Sequence, residues 1–144
     1  MSQLVFPQET EKINVELKNE IKANLFPLFW GISYERFLSN NFGLGFSTGM
    51  ICVTLSQELD GGPDFRSFAG PYCRYYYNVL FVEADTPIVA SDISLGLGIG
   101  LKFSPLLKNK HLIGELFYGQ GHIFDNSKNG TDYWRIGVTF GVKF

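Results

Sequence analysis

From Asp132 to Phe144 the chain alternates without a break. Trp134, Ile136, Val138, Phe140, Val142 and Phe144 fall on one side of an extended strand, and Tyr133, Arg135, Gly137, Thr139, Gly141 and Lys143 fall on the other. The same period of two recurs upstream. Ile13, Val15, Leu17, Ile21, Ala23 and Leu25 alternate with polar positions, interrupted only by Asn19, and predict a first strand beginning at Ile13. Trp30 to Leu38 predicts a second, ended by the turn signal Ser39-Asn40-Asn41. Phe42 to about Leu55 predicts the third, Ser67 to Tyr77 the fourth and Val79 to Asp85 the fifth, with Asn78 as the short turn between the last two. Ser91 to Phe103, His111 to Phe124 and Asp132 to Phe144 complete eight. Polar loops fall at Ser56 to Arg66, Ser104 to Lys110 and Asp125 to Thr131, and shorter connections lie around Pro27 and around Thr86-Pro87. The pattern predicts an all-β fold, a closed eight-stranded antiparallel up-and-down transmembrane barrel over residues 13–144, after a flexible tail at 1–12.

Alternation alone does not say which face is inside. The small face decides it: Ser94, Gly96, Gly98 and Gly100 on the sixth strand would make a poor water-facing surface but fit the interior of a narrow barrel. Large aliphatic and aromatic residues then form a continuous outer belt, which a bilayer requires and a soluble protein rarely exposes. On the inferred inner face sit Glu35, Arg74, Glu83, Lys102, Glu115 and Arg135, with Glu20 and Lys22 on the first strand. From Arg74 to Arg135 the sign alternates strand by strand, and the six make a balanced ring of three acids and three bases. Charges removed from bulk water need partners, so this set predicts a sealed lumen filled by an ionic network rather than a conducting channel.

Composition adds exclusions. Aromatics at 16% and charged residues at 18%, with 16 glycines, favour sheet over helical bundle, and a net charge of −2 argues against nucleic acid as a partner. No apolar run reaches the roughly 18 to 20 residues of a membrane helix. Met1-Ser2-Gln3-Leu4 does not read as a secretory signal, so export requires a signal removed before this numbering begins.

Three stretches carry a family resemblance: Ile32-Ser33-Tyr34-Glu35-Arg36 before the Ser-Asn-Asn turn, Gly70-Pro71-Tyr72-Cys73-Arg74-Tyr75-Tyr76, and the terminal Gly137 to Phe144. With these the chain resembles the small eight-stranded outer-membrane barrels of Gram-negative bacteria, the OmpA/OmpX-like group, and more narrowly the short barrels of Bacteroidetes-type outer membranes. The resemblance implies a bacterial outer-membrane location amid lipid and lipopolysaccharide. It also implies insertion by the outer-membrane assembly machinery, which reads the last strand, and places short turns and both termini in the periplasm. Phe140, Val142 and Phe144 would form that C-terminal signal, although Val142 stands where an aromatic is common.

Other candidates weigh less. The glycine runs at Gly43 and Gly96 lie inside strands with no helix following, so they are not phosphate loops. His122, Asp125 and Ser127, with Glu115 on the same strand, vaguely resemble a lipid A hydrolase site, but the spacing brings no nucleophile to its base. Cys52 and Cys73 would pair across neighbouring strands if the intervening loop centres near Gly62-Pro63, making a candidate disulfide. Two distant histidines do not converge on a metal, and no cofactor is implied. Trp30, Tyr34, Tyr75, Tyr77, Tyr118 and Trp134 read as interfacial aromatics, and Asn129-Gly130-Thr131 as a loop tip that matches a glycosylation pattern. The reading is therefore a non-enzymatic structural barrel or an accessory subunit of a larger outer-membrane complex. The rivals are a lipid A-modifying hydrolase and a soluble lipocalin-like carrier.

Overall fold

Each alternating segment satisfies its backbone only when strands flank it on both sides, and this sheet achieves that by closing. The computed structural model describes residues 19–26, 29–53, 64–103, 111–125 and 130–144. They form β1 (Asn19–Phe26), β2 (Phe29–Phe37), β3 (Phe42–Val53), β4 (Asp64–Tyr77), β5 (Leu80–Asp85), β6 (Ile88–Val89), β7 (Asp92–Lys102), β8 (Leu112–Ile123) and β9 (Thr131–Lys143). Every neighbouring pair is antiparallel. The last strand returns to the first, with Glu20 opposite Lys143 and Asn24 opposite Thr139. Asn19 and Phe144 exchange N–H···O bonds of 2.9 Å at the foot of that seam.

β5 and β6 are one stave. β4 pairs Tyr72 with Asp85 and Phe68 with Val89, so the register resumes unchanged after Thr86-Pro87. Pro87 has no N–H for the ladder, and its carbonyl instead accepts both the Ser94 amide at 2.9 Å and the Ser94 hydroxyl at 2.7 Å. The barrel is thus eight-stranded, as the alternation predicts.

The boundaries differ where turn chemistry misleads. Thr86-Pro87 is not the connection between the fifth and sixth strands. The chain turns at Ala90-Ser91, where both residues take positive φ (49° and 88°) without the Asn or Gly usual there. β4 begins at Asp64, so Asp64, Phe65 and Arg66 belong to a strand rather than a loop. Asn78 does carry its turn, at φ 55°. The tail at 1–12, the strand start at 13–18, Pro27, the end of the third strand, most of the loops, Ser127 and Asn129 lie outside the described residues.

Large residues face out. Ile93 and Leu97 are 66% and 67% exposed, while Ser94 and Lys102 of the same strand are buried. The inner glycines make room for particular rings from neighbouring strands. A Cβ on Gly45 would sit 2.2 Å from the Tyr72 ring, and one on Gly100 would sit 2.2 Å from Phe81. Gly98 and Gly121 stand in the same relation to Phe117 and Tyr133.

The barrel also tapers. The β1–β2 hairpin is short, β3 runs past it at Cys52 and Val53, and Val53 pairs directly with Tyr133 of β9. Above the hairpin tip six staves remain, and their inward side chains Ile51, Val53, Phe68, Val89, Ile123 and Tyr133 pack into one buried cluster. This cluster lies at the end away from the termini. Sequence reasoning expected small inner residues throughout and did not anticipate it.

Two stability outcomes follow from this geometry, both readable as shifts in the urea midpoint of the detergent-refolded chain. Ala90→Asn combined with Ser91→Gly relieves two left-handed non-glycine residues and raises stability by about 1–2 kcal/mol. Gly121→Ala overpacks against Tyr133 and costs about 1–3 kcal/mol, whereas Gly114→Ala, whose Cβ would meet nothing closer than 3.9 Å, leaves the midpoint unchanged or higher.

Candidate functional site

The chemistry of this chain is concentrated in the lumen. Period two turns Glu20 and Lys22 of β1, Glu35 of β2, Arg74 of β4, Glu83 and Asp85 of β5, Lys102 of β7, Glu115 of β8 and Arg135 of β9 inward, and all of them are buried. Burying so many charges is sustainable only if each meets opposite charge and its remaining hydrogen-bonding capacity is filled.

At the terminus end, Lys102 Nζ binds both Glu20 carboxylate oxygens at 2.7 Å and lies 4.7 Å and 4.8 Å from the ring centroids of Phe37 and Tyr76. Lys22 Nζ donates to Glu35 and, at 3.2 Å, to Glu115, and it passes Glu20 at 3.6 Å. Glu35 also accepts from the Tyr76 hydroxyl at 2.7 Å. Arg74 then bridges Glu115 at 2.8 Å and Glu83 at 2.5 Å, with Phe81 stacked 4.3 Å from its guanidinium. Higher still, Arg135 binds Glu83 at 3.2 Å and Asp85, and Asp85 accepts from the Tyr133 hydroxyl at 3.3 Å. Tyr133 belongs to the apolar cluster above.

Glu35, Arg74, Glu83, Lys102, Glu115 and Arg135, the six residues singled out from the sequence, thus lie in one connected set, together with Glu20 and Lys22. They do not form a ring at one level. They form a column along the barrel axis, with five carboxylates against four cations once Asp85 is included. Asp85 was missed by sequence reasoning although it shares the parity of Glu83. Tyr72 and Tyr76, which turn hydroxyls toward Glu35 at 3.4 Å and 2.7 Å, were missed because aromatics were assigned to the outer belt. Asn24 and Thr139 complete the set across the β1–β9 seam, hydroxyl to amide oxygen. Between Asn24, Ser33, Ser47, Tyr72, Arg74 and Arg135 lies a cavity of about 10 Å³, room for the centre of about one water molecule.

The remaining candidates separate. Cys52 stands opposite Phe65 and Cys73 opposite Leu44, so the cysteines are eight residues apart in register and both are free thiols. The disulfide expectation fails because β4 starts early: the β3–β4 hairpin is centred near residue 58, not near Gly62-Pro63. His122 and Glu115 lie on opposite faces of β8, so they cannot act together. The His122 Nδ1 meets Asp132 Oδ1 at 2.6 Å on the outer face, and Asp125 accepts from the Thr131 hydroxyl at 2.9 Å. Among the described residues no cluster of His, Cys, Asp and Glu could hold a metal. Phe140, Val142 and Phe144 all face outward, 56%, 47% and 62% exposed. So do the six aromatics expected at the interface, and Tyr118 and Trp134 pack at 5.9 Å between centroids.

A double-mutant cycle reads the column directly. Lys102→Met strands the Glu20 carboxylate and costs about 3–5 kcal/mol of unfolding free energy, while adding Glu20→Leu recovers most of that loss. Urea titrations of the three variants in micelles measure both steps.

No protein-family model and no curated protein sequence matches this chain. Among solved structures it is similar to the crystal structure of the N-terminal β-barrel domain of Pseudomonas aeruginosa OprF, with 13% sequence identity, a TM-score of 0.50, and coverage of 89% of this chain and 96% of that one. At that identity the likeness speaks for the fold, and the fold is a closed eight-stranded antiparallel barrel.

Proposed function

We propose that this chain is an integral barrel of the bacterial outer membrane with a sealed polar lumen, acting as a non-enzymatic structural protein or as an accessory subunit of a larger outer-membrane assembly. The observation that carries this reading is the inversion of the usual burial rule. Glu20, Lys22 and Glu35 are 0% exposed, while Leu25, Ile32, Leu97 and Phe140 are more than half exposed. An outer belt of this kind, continuous around the staves, suits hydrocarbon and not water. A soluble carrier of the lipocalin type would need the opposite arrangement, an apolar cavity inside and a polar wall outside.

Sealing is supported by the ionic column and by the apolar cluster above it, which packs aliphatic and aromatic side chains across the lumen. Lipid and lipopolysaccharide are then the surroundings of the belt. The assembly machinery is the partner during insertion, reading Phe140, Val142 and Phe144 on the strand that closes the seam. A lipid A hydrolase is disfavoured because His122 faces outward from β8 while Glu115 faces the lumen, where Lys22 and Arg74 hold it.

In fractionated envelopes of the native host the expected outcome is sedimentation with outer membrane, and in planar bilayers no steady conductance above background. Recovery in the aqueous fraction would defeat the membrane reading, and stable ohmic steps would defeat the sealed lumen. Gentle detergent extraction followed by native mass measurement separates the two roles: a particle larger than one chain identifies a subunit, and a lone barrel a free-standing protein.

A further inference from the structure

The outer face of the described strands is almost free of charge. Its ionisable exceptions of ordinary strength are Arg36, near the terminus end, and the His122–Asp132 pair near the other. That pair is self-contained. Arg36 is not: it stands exposed one residue from the end of β2, and among the described residues no carboxylate lies within ion-pairing distance.

Arg36 has a prepared neighbour. In register it faces Asn19 of β1 on one side and Leu44 of β3 on the other. The Tyr34 hydroxyl, on the same outer face, donates to Asn19 Oδ1 at 2.8 Å. This bond occupies the amide oxygen and leaves the Asn19 NH₂ as a donor beside the guanidinium. Two residues with donor groups therefore stand opposite each other at the rim of an apolar wall, one charged and forked, the other neutral. Exposed Leu38, Leu44 and Tyr75 flank them.

A guanidinium that meets no carboxylate among the described residues at such a rim is matched by a phosphodiester, whose two free oxygens accept its parallel N–H groups. We propose that Arg36 and Asn19, the latter oriented by Tyr34, form a headgroup site for an anionic glycerophospholipid in the leaflet at the terminus end of the barrel. The inference rests on the membrane-spanning reading above and deepens it by naming a lipid and the residues that hold it. Its acyl chains would lie along the outer faces of β2 and β3. The pair His122–Asp132 gives the opposite rim no equivalent, because each side chain already holds the other.

The test uses the full chain reconstituted into vesicles of equal phosphatidylcholine and phosphatidylglycerol, with insertion checked by the heat-dependent gel shift of a folded barrel, and retained lipid read by native mass spectrometry. The wild type keeps phosphatidylglycerol about fivefold over phosphatidylcholine, the size expected for one interfacial arginine. Arg36→Gln brings the ratio to that of the bulk vesicle, Arg36→Lys to an intermediate value, and Tyr34→Phe lowers it about twofold by freeing Asn19. If Arg36→Gln does not fold, Arg36→Lys and Tyr34→Phe carry the test alone. An inserted wild type without preference, or variants that keep its full preference, overturns the site while leaving the membrane reading standing. A wild type that stays outside the bilayer overturns both.

Discussion

The requirement that a buried charge be met by an opposite one governs this barrel. Lys22 on β1 reaches Glu35 on β2 and Glu115 on β8, and Glu20 on β1 reaches Lys102 on β7. Arg74 on β4 ties Glu83 of β5 to Glu115 of β8, and Arg135 on β9 ties back to β5. Apart from Lys22–Glu35 and Arg74–Glu83, which join neighbouring strands, these contacts cross the lumen between strands that share no ladder. They resist both flattening of the tube and slippage of its seam. The β1–β9 seam depends on them, since among the described residues its ladder spans Asn19 to Asn24 on β1, and both charged side chains of that strand segment are anchored elsewhere in the column.

Space and charge are coupled in the same interior. Phe81 lies against Gly100, Phe117 against Gly98 and Tyr72 against Gly45, so each ring occupies volume that a neighbouring strand has given up. Those rings are the faces on which Arg74 and Arg135 rest, and Lys102 rests in the same way on Tyr76. The guanidinium and ammonium groups thereby gain a polarisable surface in place of water, which lowers the cost of keeping them inside. Replacing the small face by larger residues would displace the rings and with them the charges. Glycine content, aromatic content and ion pairing are therefore one feature of the barrel seen in three ways.

The two ends differ in kind. At the terminus end eight staves surround charged groups, with Lys102 and Lys143 both set against Phe37. At the other end the short β1–β2 hairpin lets β3 and β9 meet, and six staves close on aliphatic and aromatic side chains. A uniform cylinder would need long inner side chains at every level. Tapering reduces the volume to be filled just where the charges stop.

The sequence by itself determined which residues face in and which face out, because side-chain parity along a strand is local: Arg74 is inside and Tyr75 outside whatever their neighbours do. It also determined the number of staves and the sign pattern of the inner charges, since each stave carries its own alternation. What it did not determine is height. Parity leaves register free, so Cys52 met Phe65 rather than Cys73, and the inner charges became an axial column rather than a ring. Register is fixed by where each hairpin turns. Here the turns fall at Ala90-Ser91, which lacks the usual turn residues, and at a short β1–β2 hairpin whose effect appears only when β3 and β9 meet above it. Pairing between strands far apart in the chain decided those heights, and only the closed barrel contains that pairing.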